Sequence, residues 1–489
     1  MKKDKDKKKL PDMIPFAGID QDNLVELDDL ASVFGTHVSN TAYLDGLNEE
    51  QVDMVNGIIE YVKTNKDNKE YFLIQGGGGV GKSYAIGRAL HELFGYVVVA
   101  AAPSHFAKNI LKDFLVGHSV EVYTVATLMG KKLTFNDKGE MILVNKPSKI
   151  KPPIVSADVI IVDEVSMISD DTIRELLKMC KYKKLIFLGD YCQLPPVKQD
   201  HDNIAFNNIH AELVKPMRFT GLIYNLANAV REEINKAREG RYAELRVITL
   251  FTKRQSMVSE NGSGYVFLNK FSPFINAAIK RFKEGKGTQH VRVLAYRNKT
   301  IKTLNDIIRK SLYGSNAKQF EDGELLINDG GYKGEINNGE VMLVRSTREI
   351  IGKFSIPCVE LSFQDSPIRV PVVSTRGRGE YNDMLAKLKL AAYNRPSKWK
   401  EFYAFKDSFA YFNYSYATSI HKSQGSSISN IFIMEEDILG IKPIGTKEKL
   451  QSLYVAITRA SFRVFIYNKD LDVDQSKLNR EYLKIRSNV

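Results

Sequence analysis

At 489 residues, 43% apolar and 26% charged, the chain is too long for one hydrophobic core, since single cores stop growing near roughly 250 to 300 residues. It holds no run near the ~18 uninterrupted apolar residues of a membrane helix and opens without the apolar core of a secretory signal, so an intracellular, cytoplasmic protein is expected. A formal charge of +12 with a pI near 9.2 favours a polyanionic partner, nucleic acid first, although charge is an argument about steering rather than fold.

Residues 1–9 carry six lysines and two aspartates, a composition that builds no core. With the acidic stretch Asp20–Asp29, this marks residues 1–40 as a charged, mobile tail. Folding begins at Leu47-Asn48-Glu49-Glu50-Gln51, where Asn48 reads as a helix N-cap with Gln51 in the capping-box position, ahead of a helix over Val52–Lys63. The apolar run Tyr71–Ile74 then leads into GGGGVGKS, Gly76 to Ser83. This is the G-x-x-x-x-G-K-[ST] pattern between a strand and a helix-permissive segment, Tyr84–Leu93. Its closely spaced glycines let backbone N–H groups converge on phosphates at a helix N-terminus. Lys82 is expected to reach the β- and γ-phosphates and Ser83 to hold Mg²⁺. ATP is therefore expected on Gly76, Gly77, Gly78, Gly79, Val80, Gly81, Lys82, Ser83 and Tyr84.

Tyr96–Ala101, Asp158–Val162 and Lys184–Leu188 are short β-branched or aromatic runs between helix-compatible segments, the pattern of a parallel sheet buried on both faces. Val159–Val162 ends in Asp163-Glu164, two carboxylates at the carboxyl edge of a buried strand, where ligands of open α/β sheets collect. Asp163 is expected to orient Mg²⁺ and Glu164 to polarise the attacking water. Asp170 and Asp171 can cap a helix whose positions Ile173, Leu176, Leu177 and Cys180 keep helical spacing. Lys184–Leu188 runs into Gly189-Asp190-Tyr191-Cys192-Gln193-Leu194-Pro195-Pro196, which reads either as a Pro-terminated loop or as a turn presenting Gln193 to a γ-phosphate. Cys180, Cys192 and Cys358 are few and lie outside any C-x-x-C spacing, so neither a disulfide nor zinc is expected.

A second α/β region follows, with strands expected at Val291–Tyr296, Ile431–Met434 and Val464–Tyr467 and no second P-loop. Within it, about 318–412 has the turn-rich texture of a β-rich insertion, closed by helices over Asn382–Tyr393 and Ser397–Tyr403. Phe402–Tyr416 holds eight aromatic residues; most fit core packing, with one or two available to stack on bases. Tyr416–Ser427, YATSIHKSQGSS, concentrates the hydroxyl, amide and cationic groups that phosphate contacts use, or forms a solvated loop. Leu453–Ala460, LYVAITRA, reads as an amphipathic helix with Arg459 near its polar edge.

Together these stretches resemble the superfamily 1B helicases, the RecD-like 5′-to-3′ branch that includes Dda-type phage enzymes. LNEEQ resembles the Q motif, implying that Gln51 reads adenine. AAPSHFAKNIL and Tyr123–Met129 resemble motifs Ia and Ib, DEVSM motif II, GDYCQLPPV motif III, ELVKPMRF motif IV, YATSIHKSQGSS motif V and LYVAITRA motif VI. The resemblance implies catalytic roles for Lys82, Asp163, Glu164, Gln193, Arg218 and Arg459, the last as arginine finger. It implies a single-strand path past Pro103, Ser104, His105, Thr124, Thr418, Ser419, His421 and Lys422. Lys132–Val144 reads as a β-hairpin around Asn136-Asp137-Lys138-Gly139; in the resembling helicases a pin at this place splits the duplex, with Phe135 or Met141 as the wedge here, although an ordinary exposed hairpin fits equally.

The implied fold class is α/β, two RecA-like P-loop NTPase-type domains with a small β-hairpin insertion and an SH3-like β-rich insertion. The expected division is 41–217 for the first domain, with its hairpin at about 130–153, then 218–317 with 413–489 for the second, and 318–412 for the SH3-like insertion. The expected activity is ATP- and Mg²⁺-dependent translocation on single-stranded DNA and unwinding at duplex junctions, by a monomer working with single-strand-binding or replisome proteins. A small-molecule P-loop kinase and a nucleic-acid-binding scaffold that keeps ATP structurally are the alternatives.

Overall fold

The computed structural model describes residues 44–64, 68–135, 141–145, 151–196, 199, 201–215, 217, 221–284, 290–333, 335–336, 338–364, 366–441 and 444–469. The expected tail 1–40 lies outside them. The elements below all belong to the unit Gly46–Val489.

The first sheet is built from β1 (Phe72–Gly76), β2 (Val98–Ala102), β3 (Glu121–Thr124), β6 (Val159–Val162), β7 (Lys184–Gly189) and β8 (Ala211–Leu213), in the order β3-β2-β6-β7-β1-β8. Every pairing in it is parallel. Strands β1, β2 and β6 are buried along their whole length, which explains why they read as continuous apolar runs rather than alternating ones. Between β3 and β6 the hairpin of β4 (Lys131–Phe135) and β5 (Met141–Asn145) pairs antiparallel, Phe135 opposite Met141. The side chains of both residues, and the turn 136–140, lie outside the description.

The second sheet runs β17-β11-β18-β19-β10-β9, with β9 (Met257–Val258), β10 (Gly264–Leu268), β11 (Val291–Ala295), β17 (Ala417–Ser419), β18 (Ile428–Met434) and β19 (Ala460–Tyr467). It is parallel except for the short edge strand β9. Inserted between β11 and β17 is an antiparallel sheet of β12 (Leu325–Asn328), β13 (Val341–Ile351), β14 (Pro357–Phe363), β15 (Ser366–Val373) and β16 (Phe412–Tyr414), ordered β15-β14-β13-β12-β16. This is the β-rich insertion that the turn-rich texture announced.

The helices used below are α1 (Glu49–Lys63), α2 (Lys82–His91), α3 (His105–Phe114), α4 (Asp170–Met179), α5 (Leu222–Arg238), α6 (Phe271–Lys283), α7 (Asn298–Tyr313), α8 (Arg378–Asn394), α9 (Trp399–Lys406), α10 (Ile420–Ser423) and α11 (Thr446–Thr458). At α1 the capping box forms with both reciprocal bonds between Asn48 and Gln51. At α4 the N-cap is Ser169, not Asp170 or Asp171. Those two carboxylates occupy the first turn, where the helix dipole favours them.

One hydrophobic cluster passes from the first sheet (Leu73, Phe187) through α5 and α11 (Leu226, Val230, Leu453) to the second sheet (Ile431). Helix α11 is accordingly buried from Leu450 to Thr458, a correction to the amphipathic reading: sandwiched between lobes, it has no solvent face. Of the aromatic residues over 402–416, Phe402, Phe405, Phe409, Phe412 and Tyr416 are core, while Tyr411 is 54% exposed. Trp399 packs with Ala392 and Phe402.

Candidate nucleotide and nucleic-acid sites

The phosphate loop follows β1 and turns into α2 through Gly79 and Gly81, at φ 83° and 85°. Both lie in the left-handed region that glycine adopts without penalty. Helix α2 starts with no side-chain cap, which leaves its first-turn N–H groups to an anion. Lys82 Nζ donates to the carbonyls of Gly76 (2.6 Å) and Gly77 (3.2 Å). Gln51 is fully buried; its Nε2 donates to Val80 O at 3.2 Å and its Oε1 accepts from Asn48 N at 3.1 Å. In this geometry Gln51 braces the loop, and it would turn to adenine only by giving up one of these bonds. Tyr84 is exposed and accepts from Arg88 at 3.0 Å.

Strand β7 pairs with β1 and β6 with β7, all parallel, so their carboxyl ends share the sheet edge that carries the loop. After β6, Asp163 Oδ1 accepts from Glu164 N at 2.8 Å, and Glu164 is itself left-handed at φ 51°. Desolvation first, then the adjacent Glu164, pushes Asp163 up to about 7, with Lys82 pulling the other way. Two crowded carboxylates are a hard-oxygen pair of the kind that Mg²⁺ takes, and Lys82, the chain neighbour of Ser83, lies close enough to Asp163 to lower its pKa. After β7, Gln193 is buried, and its Oε1 has no hydrogen-bond partner.

The second lobe meets this edge through α11. Arg459, at the C-cap of α11, is 3% exposed, not a polar-edge charge. Its Nε donates to Val455 O (3.1 Å), its Nη1 to Ser426 O (3.3 Å) and its Nη2 to Thr458 Oγ1 (3.2 Å). A Cβ placed on Gly78 would lie 3.4 Å from that Nη2, so the arginine of one lobe lies against the phosphate loop of the other. Arg218 lies outside the described residues, but its neighbour Met217 donates its backbone N–H to Gly79 O at 2.8 Å. Sequence reading missed Gln75, Asp190, Arg231 and Tyr454, which also converge here; the signals available were an amide inside an apolar strand and the aspartate of GDYCQ.

The nucleic-acid candidates divide. Ser104 and Ser419 cap α3 and α10, accepting from Ala107 N and Lys422 N. Thr124 is buried and caps the short helix Val125–Leu128, and Thr418 is buried in β17. Ser104, Thr124 and Ser419 thus set backbone geometry, the role short hydroxyl residues take at helix starts. Pro103 is half-buried and His105 exposed beside the same helix start. Burial and then Lys108 lower the His105 pKa, with Glu340 opposing. Helix α3 meets the loop after α10, since a Cβ on Gly425 would lie 3.7 Å from both Phe106 and Ile110. Desolvation holds His421 below its ordinary pKa, and it packs edge-on against Tyr296 at 5.5 Å. Lys422 is exposed and pairs with Asp329 of the inserted sheet at 3.0 Å. A groove of about 900 Å³ runs between the second lobe and the insertion, with Thr418, Ser419 and Lys422 on one wall and Arg378 and Tyr411 on the other.

A phosphate loop, an acidic pair and a buried amide at the edge of one parallel sheet, faced by an arginine from a second, define a two-lobed P-loop NTPase that binds nucleotide. A family model described as "AAA domain" matches residues 46–261, and one described as "UvrD-like helicase C-terminal domain" matches residues 414–467. The chain is 25% identical over 465 residues to the ATP-dependent DNA helicase dda of Enterobacteria phage T4, covering 86% of this chain and 99% of that protein. It is 22% identical over 504 residues to the uncharacterized protein R530 of Acanthamoeba polyphaga mimivirus, covering 85% and 99%. Among solved structures, Pif1 helicase from Bacteroides in complex with ADP-AlF3 and ssDNA aligns with a TM-score of 0.48 at 14% identity, over 90% of this chain and 97% of that one. Over most of its length the chain is thus similar to a helicase of the Dda type. No described helix is long and apolar enough to cross a membrane.

Proposed function

We infer that the chain is an ATP-dependent DNA helicase that moves 5′-to-3′ on single-stranded DNA and separates duplex at junctions. The observation that carries this is the approach of Arg459 in one lobe to Gly78 in the phosphate loop of the other, because a nucleotide held there joins both lobes and its hydrolysis frees them. The loop amides and Lys82 would bind the phosphates, Gln193 would sense the last of them, and Arg218 and Arg459 would neutralise charge developing on it. Ser83 and Asp163 would hold Mg²⁺, which would supply positive charge against the phosphates. Glu164 would polarise the attacking water.

The strand would run along the groove between the second lobe and the insertion, past His105, His421 and Lys422, with Phe135 at the hairpin as the wedge. We take 41–217 and 218–317 with 413–489 as the two motor domains and 318–412 as an SH3-like insertion. The protein would act as a monomer in the cytoplasm of a bacterial or phage-infected cell, in replication, recombination or repair, beside single-strand-binding or replisome proteins. A strand-displacement assay on 5′-tailed and 3′-tailed duplexes tests this reading: unwinding from the 5′ tail is expected, and unwinding only from the 3′ tail overturns the direction.

A further inference from the structure

The glycine at position 77 is not accounted for by backbone conformation. Unlike Gly79 and Gly81, it does not lie in the left-handed region. What forbids a side chain is the second lobe: a Cβ there would come within 2.7 Å of Tyr454 Oη and 2.9 Å of Arg231 Nη1, with Asp190 Oδ2 at 3.9 Å. Tyr454 comes from α11 and Arg231 from α5, so two helices of one lobe rest against one peptide of the other lobe's phosphate loop. On its own lobe, the Gly77 carbonyl accepts from Lys82 Nζ at 3.2 Å. Whatever engages Lys82 therefore alters the surface on which Tyr454 and Arg231 rest.

The contact is polar and buried at Asp190 and Tyr454, with Arg231 also paired at 3.4 Å to the exposed Glu212. Asp190 is fully buried; its Oδ2 accepts from Tyr454 Oη at 3.0 Å, and its Oδ1 from Gln75 Nε2 at 3.3 Å and Cys192 N at 3.0 Å. Gln451, one turn before Tyr454, donates to Tyr191 O at 2.9 Å. Burial disfavours the charge on Arg231, but Asp190, and behind it Tyr454, more than restores it and raises its pKa. Burial, then Asp190, holds the Tyr454 phenol protonated, so that it donates. Separating such groups strands a buried carboxylate, and a contact with that cost is either made or broken, not stretched.

The far end of the contact is the arginine of the site. Thr458 Oγ1 donates to Tyr454 O at 2.9 Å, and Arg459 Nη2 donates to the same hydroxyl at 3.2 Å. A shift of Tyr454 thus reaches Arg459 within one helical turn. We propose that Asp190, Tyr454 and Arg231 form a latch between the lobes that reads the state of the phosphate loop at Gly77 and positions Arg459 accordingly. The proposal rests on the helicase reading above. Tyr454 and Arg231 are positioning residues in it.

The three native cysteines are buried, so dye pairs can be placed on introduced cysteines at the exposed positions Glu60 and Lys299. The interlobe distance is then measured by energy transfer in the full chain, with and without ADP-aluminium fluoride. The distance is expected to change with nucleotide in the parent protein, and Tyr454→Phe and Arg231→Ala are expected to lose at least half of that change, with Arg231→Lys restoring part of it. The same variants should lower kcat for hydrolysis about 10-fold or more while KM for ATP moves less than about threefold. A nucleotide-dependent change that persists undiminished in variants with parental melting temperatures overturns the latch, as does a parent that shows no change. A rise in KM alone also overturns it, by making these residues part of the nucleotide pocket. If Tyr454→Phe does not fold, Arg231→Ala set against Arg231→Lys carries the same comparison. A latch-dependent distance change in a parent whose hydrolysis ignores single-stranded DNA would sink the helicase reading and leave the latch standing.

Discussion

Lys82 is the residue whose role is most separable, because its ammonium donates to loop carbonyls and acts on the Asp163 carboxylate, both within the site. Lys82→Ala should lower ATP hydrolysis by about 100-fold or more, the scale seen when one preorganised charge-stabilising group is lost, while binding to a fluorescent single-stranded oligonucleotide persists. Unchanged hydrolysis would return the protein to the scaffold reading. Glu435 is a different kind of residue. It is fully buried at the end of β18 and accepts from Asn468 Nδ2 at 2.8 Å. Desolvation pushes its pKa up to about 7; Asn468 opposes this, Glu436 adds to it and Arg254 opposes it. A raised folded-state pKa means that the folded chain holds the proton more tightly than the unfolded one. The resulting stability is fully present below the ordinary value of 4.5 and is lost as pH rises through about 7. Glu435→Gln removes that loss, so its stability advantage over the parent should grow by about 1 to 3 kcal/mol between pH values of about 4.5 and 8.5. Thermal melts across that range check it, and a constant difference would refute it.

At the scale of elements, strand β7 ends at Gly189 against the turn that carries the acidic pair. A Cβ there would come within 2.6 Å of Val165 Cγ1 and 2.9 Å of Phe206 Cζ. Gly189→Ala should therefore cost about 1 to 3 kcal/mol by overpacking, read as a lower melting temperature, and a neutral result would show that the turn yields. The hairpin β4–β5 is tied back to α4 by the ion pair of Lys131 with Glu175. Replacing residues 132–144 with a short Gly-Ser linker should abolish strand separation while DNA-stimulated hydrolysis continues; loss of both together would mean that the hairpin supports the motor rather than the wedge. Element positions were legible because strands buried on both faces must be continuous apolar runs, which is how β1, β6 and β7 read to within a residue or two. Helix α11 was misread because periodicity reports a solvent face, and a helix packed between two lobes has none.

For the whole molecule, a basic chain gripping a phosphate backbone should bind single-stranded DNA with little sequence preference and strong salt dependence, the log–log slope falling by about 0.7 per phosphate contact. The Lys422–Asp329 pair is exposed on both sides, so it holds Lys422 only weakly. Lys422→Ala should reduce the slope by about one contact, measured by fluorescence anisotropy over a salt series; an unchanged slope removes Lys422 from the strand path.

Much of the nucleotide half of the site was legible, because a phosphate loop is local: Gly76 to Ser83 are contiguous, and each glycine, the lysine and the hydroxyl act within one strand–loop–helix unit. The acidic pair was legible for the same reason, lying at the end of its own strand. What only the tertiary structure decided is the set of long-range meetings. These are Arg459 against Gly78, Tyr454 and Arg231 against Gly77, α3 against the loop at Gly425, and Ser104, Thr124 and Ser419 held as helix caps rather than left free for a strand. Spacing along a chain constrains what shares a strand or a helix face, but not which faces of two separate sheets are pressed together. Here that second choice determines which charges from one lobe reach the phosphate loop of the other.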